Sequence, residues 1–180
     1  MPLSNHHACM LASKHDNRDL SLKTTMPLAS PLENAAVIAA AKVRSKISKP
    51  THDRYSWLFI SPVCKEDVKP VVESWLSNKD ILEDVSNATG ISFGAEPWRK
   101  VSDYYPIVWT RKTGTLESPF PGKVLVIIGL EYVDENNGLP RLAAKAALYP
   151  GEYVLIPGAE NIQLSNGGGG VSLFVLLNMP

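Results

Sequence analysis

Chemistry in this chain would have to come from few side chains. The four histidines, His6, His7, His15 and His52, all lie in the first 52 of 180 positions, so residues 53 to 180 offer no imidazole as base or metal ligand. The two cysteines, Cys9 and Cys64, are too few for a disulfide framework and point to a reducing compartment. Cys64 follows an apolar run with no histidine near it in sequence, the pattern of a buried thiol and not of a nucleophile. Gly167 to Gly170 lack the Lys-Ser/Thr and the helix that complete a phosphate loop, and read as a flexible connection. What remains is a thin set of carboxylate, guanidinium and phenol groups, and the elements decide which of them meet.

Those elements change character along the chain. Residues 1–29 are polar, carry three of the histidines and show no sustained periodicity, the composition of a flexible arm. Ser30-Pro31-Leu32-Glu33 reads as a capping box with Pro at the first helical position. Leu32, Ala36, Ala39, Val43 and Ile47 then follow at helical spacing up to Lys49-Pro50. Tyr55 to Val63 is a β-rich run, and a second helix is expected from about Glu66. Ser77-Asn78 breaks it before a short continuation through Ile81, Leu82 and Val85.

From Gly90 onward, short strands alternate with turn residues. They are expected at Ile91–Phe93, Tyr105–Arg111, Val124–Val133, Leu142–Leu148, Tyr153–Ile156, Asn161–Leu164 and Val171–Leu177. Asp134 to Gly138, the run DENNG, reads as a hairpin turn. The domain division is thus an arm at 1–29, a helix and strand extension at 30–99 packed on the rest, and a β-barrel at 100–180.

The most informative stretch is Leu148 to Asn166, LYPGEYVLIPGAENIQLSN. Turns at Pro150-Gly151 and Pro157-Gly158 bracket one short strand, and a second strand follows. The spacing from Gly151 through Pro157 to Asn166 resembles the second sequence motif of the cupin superfamily. Ala159 replaces its second glycine and Ile162 its metal-binding histidine. The first cupin motif matches best with its closing glycine at Gly129, which puts Gly122 at the glutamate position and Leu116 and Ser118, or Thr115 and Glu117, at the histidine pair. The resemblance covers about Lys100 to Met179. It implies a cupin-type antiparallel jelly-roll barrel and no metal or other cofactor; with the two amino-terminal α-helices, which lie outside the resemblance, the expected fold is mainly β.

A jelly roll of this type implies a pocket between its sheets. The expected function is a metal-independent enzyme of isomerase, cyclase or lyase type acting on a small, largely apolar metabolite held there. Positioning in such a pocket can lower a barrier by roughly 7 to 11 kcal/mol. Glu117 would be the general acid or base, Arg111 and Tyr105 would orient the substrate, and Trp109, Tyr153, Ile162 and Ser118 would line its site. Two further readings have the same fold: a module that binds a small molecule without chemistry, and a jelly-roll structural protein of capsid type.

Charge bears on the last of these. Residues 1 to 50 carry seven Lys or Arg against three Asp or Glu, and the whole chain balances at zero. So mild a basicity argues against nucleic-acid binding. The first seventeen residues lack the apolar core of a secretory signal and no run approaches transmembrane length, so a cytoplasmic location and no membrane partner are expected. Val171 to Leu177 is apolar on both faces, which calls for a covering helix or a second subunit, and a homodimer is expected.

Overall fold

The computed structural model describes residues 29–47, 58–60, 64–111, 113–141, 145–164 and 167–180, with Leu58–Ile60 and Leu164 as backbone alone. The expected arm, apart from Ala29, lies outside the described residues.

Helix α1 spans Pro31–Lys46. Its capping box forms as read: the Glu33 N–H donates to Ser30 Oγ at 3.1 Å and the Ser30 N–H to the Glu33 carboxylate at 3.3 Å. Two donors that a helix start leaves unpaired are thereby satisfied. Leu32, Ala36, Ala39, Ala40 and Val43 form its buried face. Helix α2 spans Lys65–Ser77 and α3 spans Lys79–Thr89. Asn78 caps α3 by accepting from the Asp80 and Ile81 N–H groups at 3.1 and 3.2 Å, so the break at Ser77-Asn78 opens a full third helix where a short continuation was expected. Gly90, at φ +74°, ends it, as a left-handed glycine commonly does.

The described residues hold nine strands, in chain order β1 Leu58–Ile60, which lies between α1 and α2, β2 Val101–Trp109, β3 Gly114–Leu116, β4 Lys123–Gly129, β5 Val133–Asp134, β6 Ala147–Leu148, β7 Tyr153–Pro157, β8 Ile162–Leu164 and β9 Val171–Asn178. One antiparallel five-stranded sheet runs β1-β2-β9-β4-β7, and two small pairs are β3-β8 and β5-β6. Antiparallel sheet and three helices make a mixed α/β arrangement. The expected closed barrel does not form: among the described residues the large sheet ends at β1 on one side and β7 on the other without pairing to either small sheet.

Alternation along each central strand splits the core in two. Val124, Val126, Ile128, Val171, Leu173, Val175 and Leu177 pack with the helices around Trp75. Leu125, Ile127, Phe174, Leu176, Ile107 and Trp109 face the small sheets and pack with Leu116, Ile162, Val133 and Leu148. Both faces of β9 are therefore covered within the chain, so its apolar character requires no second subunit.

Other boundaries moved for local reasons. Ile91 and Phe93 are buried but anchor an irregular link and form no strand, since Gly90 and Gly94 on either side take positive φ. The run Val124–Val133 breaks at Gly129, where a Cβ would stand 2.7 Å from the Tyr149 carbonyl. Of Leu142–Leu148 only Ala147–Leu148 is strand, and 142–144 lie outside the described residues. Strand β3 was not anticipated: one apolar residue in three gives no period.

Candidate functional site

The residues singled out by sequence do not gather around one cavity. Tyr105, Trp109 and Ile162 share the cluster between the large sheet and the small ones. There the Trp109 ring meets Phe174 at 5.8 Å and the Tyr105 ring meets it at 6.0 Å. Trp109 Nε1 donates to Ser172 Oγ at 3.0 Å, which satisfies the one buried polar side chain of the core. Ile162 pairs with Leu116 across β3-β8, and both are buried. Two of the positions that the cupin resemblance gives to metal ligands, Leu116 and Ile162, are thus filled by hydrocarbon packed against hydrocarbon.

The polar candidates lie elsewhere. Glu117 is exposed just past β3. Ser118, also exposed, takes φ +39° and donates its N–H to Asn161 Oδ1 at 2.9 Å. Arg111 is exposed beyond β2, its backbone pressed against Gly168. Tyr153 is on the other side of the sheet, edge-on to Trp75 at 5.9 Å. Desolvation there, with the Asp84 charge, holds its phenol above the ordinary value. The large sheet separates it from Trp109 and Ile162, which lie on the opposite face. Among the described residues no three His, Cys, Asp or Glu side chains come together as a metal site.

A different set does converge, outside the sheet, on a cleft of about 520 Å³ between the two strands of the β5-β6 pair and their loop. Its floor is the Asp134–Gly138 turn. Asp134 Oδ1 accepts from the Asn136 and Asn137 N–H groups at 2.8 and 3.2 Å, and Oδ2 from Asn136 Nδ2 at 3.1 Å. Asn137 closes the turn by accepting from the Asp134 N–H at 2.8 Å and donating to the Tyr132 carbonyl at 2.9 Å. So dense a web of short-range bonds fixes the turn, which also rests on the core where Gly138 meets Trp109.

One wall carries Tyr132, which is paired with a second ring, Tyr149, beside the cleft. Tyr132 and Tyr149 meet edge to face at 5.1 Å, yet they are 45% and 61% exposed, unusual for rings that are already paired. The charged groups around them are neutralised in twos: Arg141 with Glu135 at 3.1 Å and Lys145 with Glu152 at 3.2 Å.

Desolvation would raise the Asp134 carboxyl, but bonds from Asn136, Asn137 and Tyr132 outweigh it and hold the group below the ordinary carboxylate value. Glu152 is likewise held low, the Tyr149 N–H and the Lys145 ammonium prevailing over desolvation. Tyr132 is held high by desolvation and by the Asp134 charge and bond. Each of these shifts moves a group's titration further from neutral pH, so the cleft and its surroundings present fixed carboxylate charges and an uncharged, protonated phenol. That suits recognition better than proton transfer, which needs a group that titrates near the working pH.

Sequence reasoning marked the DENNG turn but passed over the tyrosines that flank it. Their signal was an aromatic at each shoulder of a polar, turn-rich segment. No protein-family model and no curated protein matches this chain.

Proposed function

We propose that the chain is an opened-out jelly roll of cupin type that binds a small ligand, without chemistry, in the outer cleft beside Tyr132 and Tyr149. The cupin part of this reading is supported by the turn and strand spacing from Gly151 to Asn166 and by the two-layer packing of the large sheet on its small partners. The observation that carries the placement is the filled interior: Trp109, Phe174, Leu116 and Ile162 occupy the space where the enzyme reading needs a pocket. Glu117, its proposed acid or base, is outside that space and exposed.

The cleft has the size of an ordinary small-molecule site. The exposed Tyr132 ring, backed by Tyr149, favours a ligand with one flat apolar side, and the Asn136, Arg141 and Lys145 groups at the rim favour hydroxyl, amide or carboxylate substituents. Calorimetric titration of the full chain with mono- and disaccharides, nucleosides and small aromatic acids tests this. A binder found in that panel is expected to lose about tenfold in affinity on Tyr149→Ala, the weight of one good aromatic contact. It should be indifferent to Glu117→Gln. Equal binding by Tyr149→Ala together with loss in Glu117→Gln would return the site to the barrel interior.

A further inference from the structure

The last turn of α1 reaches the outer cleft through one side chain. Strand β4 ends at Gly129, but the Leu130 N–H still donates to the Val171 carbonyl at 3.2 Å. In a continuing antiparallel ladder the Val171 N–H would return the bond to Leu130; here it donates to Glu131 Oε1 at 3.0 Å. The carboxylate therefore takes the place of a strand carbonyl where the chain leaves the sheet. Arg44 neutralises it: Nε donates to Glu131 Oε2 at 2.9 Å and Nη2 to Oε1. The same Nη2 donates to the Gly169 carbonyl at 2.5 Å. A planar guanidinium with several fixed donors can hold three acceptors from two segments at once, which a lysine ammonium does poorly.

The two segments that Arg44 joins both lead to the back of the cleft. Tyr132 follows Glu131, and its carbonyl accepts from Asn137 Nδ2 at 2.9 Å. Gly170 follows Gly169, and its N–H donates to the Asn137 carbonyl at 2.9 Å. Arg44, Glu131, Tyr132, Asn137, Gly170 and Gly169 thus close a ring made of hydrogen bonds and peptide links. Asn137 also accepts from the Asp134 N–H at 2.8 Å. The ring therefore holds the turn whose Asp134, Glu135 and Asn136 line the cleft together with Tyr132, and Arg44 is the member that comes from α1.

We propose that Arg44 is a positioning residue for the outer cleft, through which the seating of the last turn of α1 sets where Tyr132 and the Asp134–Gly138 turn stand. The inference rests on the reading of that cleft as the ligand site and adds its regulation. Coupling of this kind is reciprocal: a ligand held against Tyr132 tightens the grip on Arg44 as much as Arg44 tightens the site for the ligand. Lys46 lies in the same turn of the helix but pairs with Asp67 of α2 at 2.5 Å and takes no part in the ring. It therefore distinguishes positioning of the cleft from plain support of the helix end.

Hydrogen exchange on the full chain, first without ligand, compares Arg44→Ala with Lys46→Ala. Each substitution removes one ion pair from the end of α1. Arg44→Ala is expected to speed exchange of the Gly170 and Asp134 amides and of the Asn137 side-chain amide about tenfold, and Lys46→Ala should leave all three unchanged. No change in Arg44→Ala, or equal change in the two variants, overturns the proposal. A binder found among the mono- and disaccharides, nucleosides and small aromatic acids should then lose about fivefold in affinity in Arg44→Ala, the low end of such couplings, and none in Lys46→Ala. Unaltered affinity in Arg44→Ala also overturns it. If none of those compounds binds, the cleft fails as their site, while the ligand-free comparison still decides whether Arg44 positions it.

Discussion

Trp109 lies so close to Gly138 that a Cβ on that glycine would stand 2.1 Å from the Trp109 Cβ, and Gly138 takes φ +135° besides. Gly138→Ala is expected to cost about 3 kcal/mol or more in urea unfolding, because both the backbone and the core must move. Gly169→Ala is the control: φ is +102° but nothing lies within 4 Å, so strain alone should cost about 1 kcal/mol. Equal losses would mean that the contact with Trp109 carries no weight. Acid provides a second residue-scale test. Asp134 and Glu152 both sit below their ordinary values. Their contribution to stability is complete above the ordinary carboxylate range, near pH 4, and is lost as pH falls through the lowered folded values. The double variant Asp134→Asn/Glu152→Gln should flatten that acid limb in thermal melts, and an unchanged limb would place the acid sensitivity elsewhere. At this scale the sequence showed turn residues well, since their backbone need is local. It did not show faces. Tyr153, Val154, Leu155 and Ile156 are all apolar enough to bury, so nothing in the run told that Tyr153 would turn to the helices and Val154 to the small sheets.

Helix starts are the most legible elements, because a cap is read from four consecutive residues. Ser30→Ala removes the acceptor for the Glu33 N–H and is expected to lower stability by about 1 kcal/mol, while Ser30→Asp should retain most of it. Chemical denaturation of the two variants checks this, and equal stability of all three chains would deny the cap any role. Asn78 shows the same logic at a break in the pattern, where a polar residue between two apolar runs starts a new helix and does not merely interrupt an old one. Strands fared less well. Val124 to Val133 reads as one apolar run, yet β4 ends at Gly129, where the Tyr149 carbonyl passes over the glycine, a contact between residues twenty positions apart. The four glycines at 167–170 have a related cause. A Cβ on Gly167 would meet the Asn136 carbonyl at 1.8 Å and one on Gly168 the Arg111 nitrogen at 2.6 Å. Gly167, Gly168 and Gly170 are small because the Asp134–Gly138 turn and the end of β2 close on them, a reason that no local reading of a glycine run contains.

For the whole molecule, the central sheet is sandwiched, with helices on one face and two small strand pairs on the other. Short strands and turn spacing made the antiparallel sheet legible. Closure was not, because it depends on whether β7 pairs across to the small sheets, and edge pairing leaves no mark on composition. The place of the site was hidden for the same reason: motif spacing pointed inward to Ile162, while packing fills that space and leaves the tyrosine pair outside. No helix among the described residues is long and apolar enough to cross a membrane. The most direct test follows a ligand from the binding panel in a two-dimensional nitrogen-proton spectrum of the full chain, including the indole region. Shifts confined to Tyr132, Asn136, Ala147 and Tyr149, with the Trp109 indole signal unmoved, are the result expected for the outer cleft. Movement of the Trp109 indole and the Ile162 amide, with the tyrosine shoulders silent, would contradict it and place the ligand between the sheets.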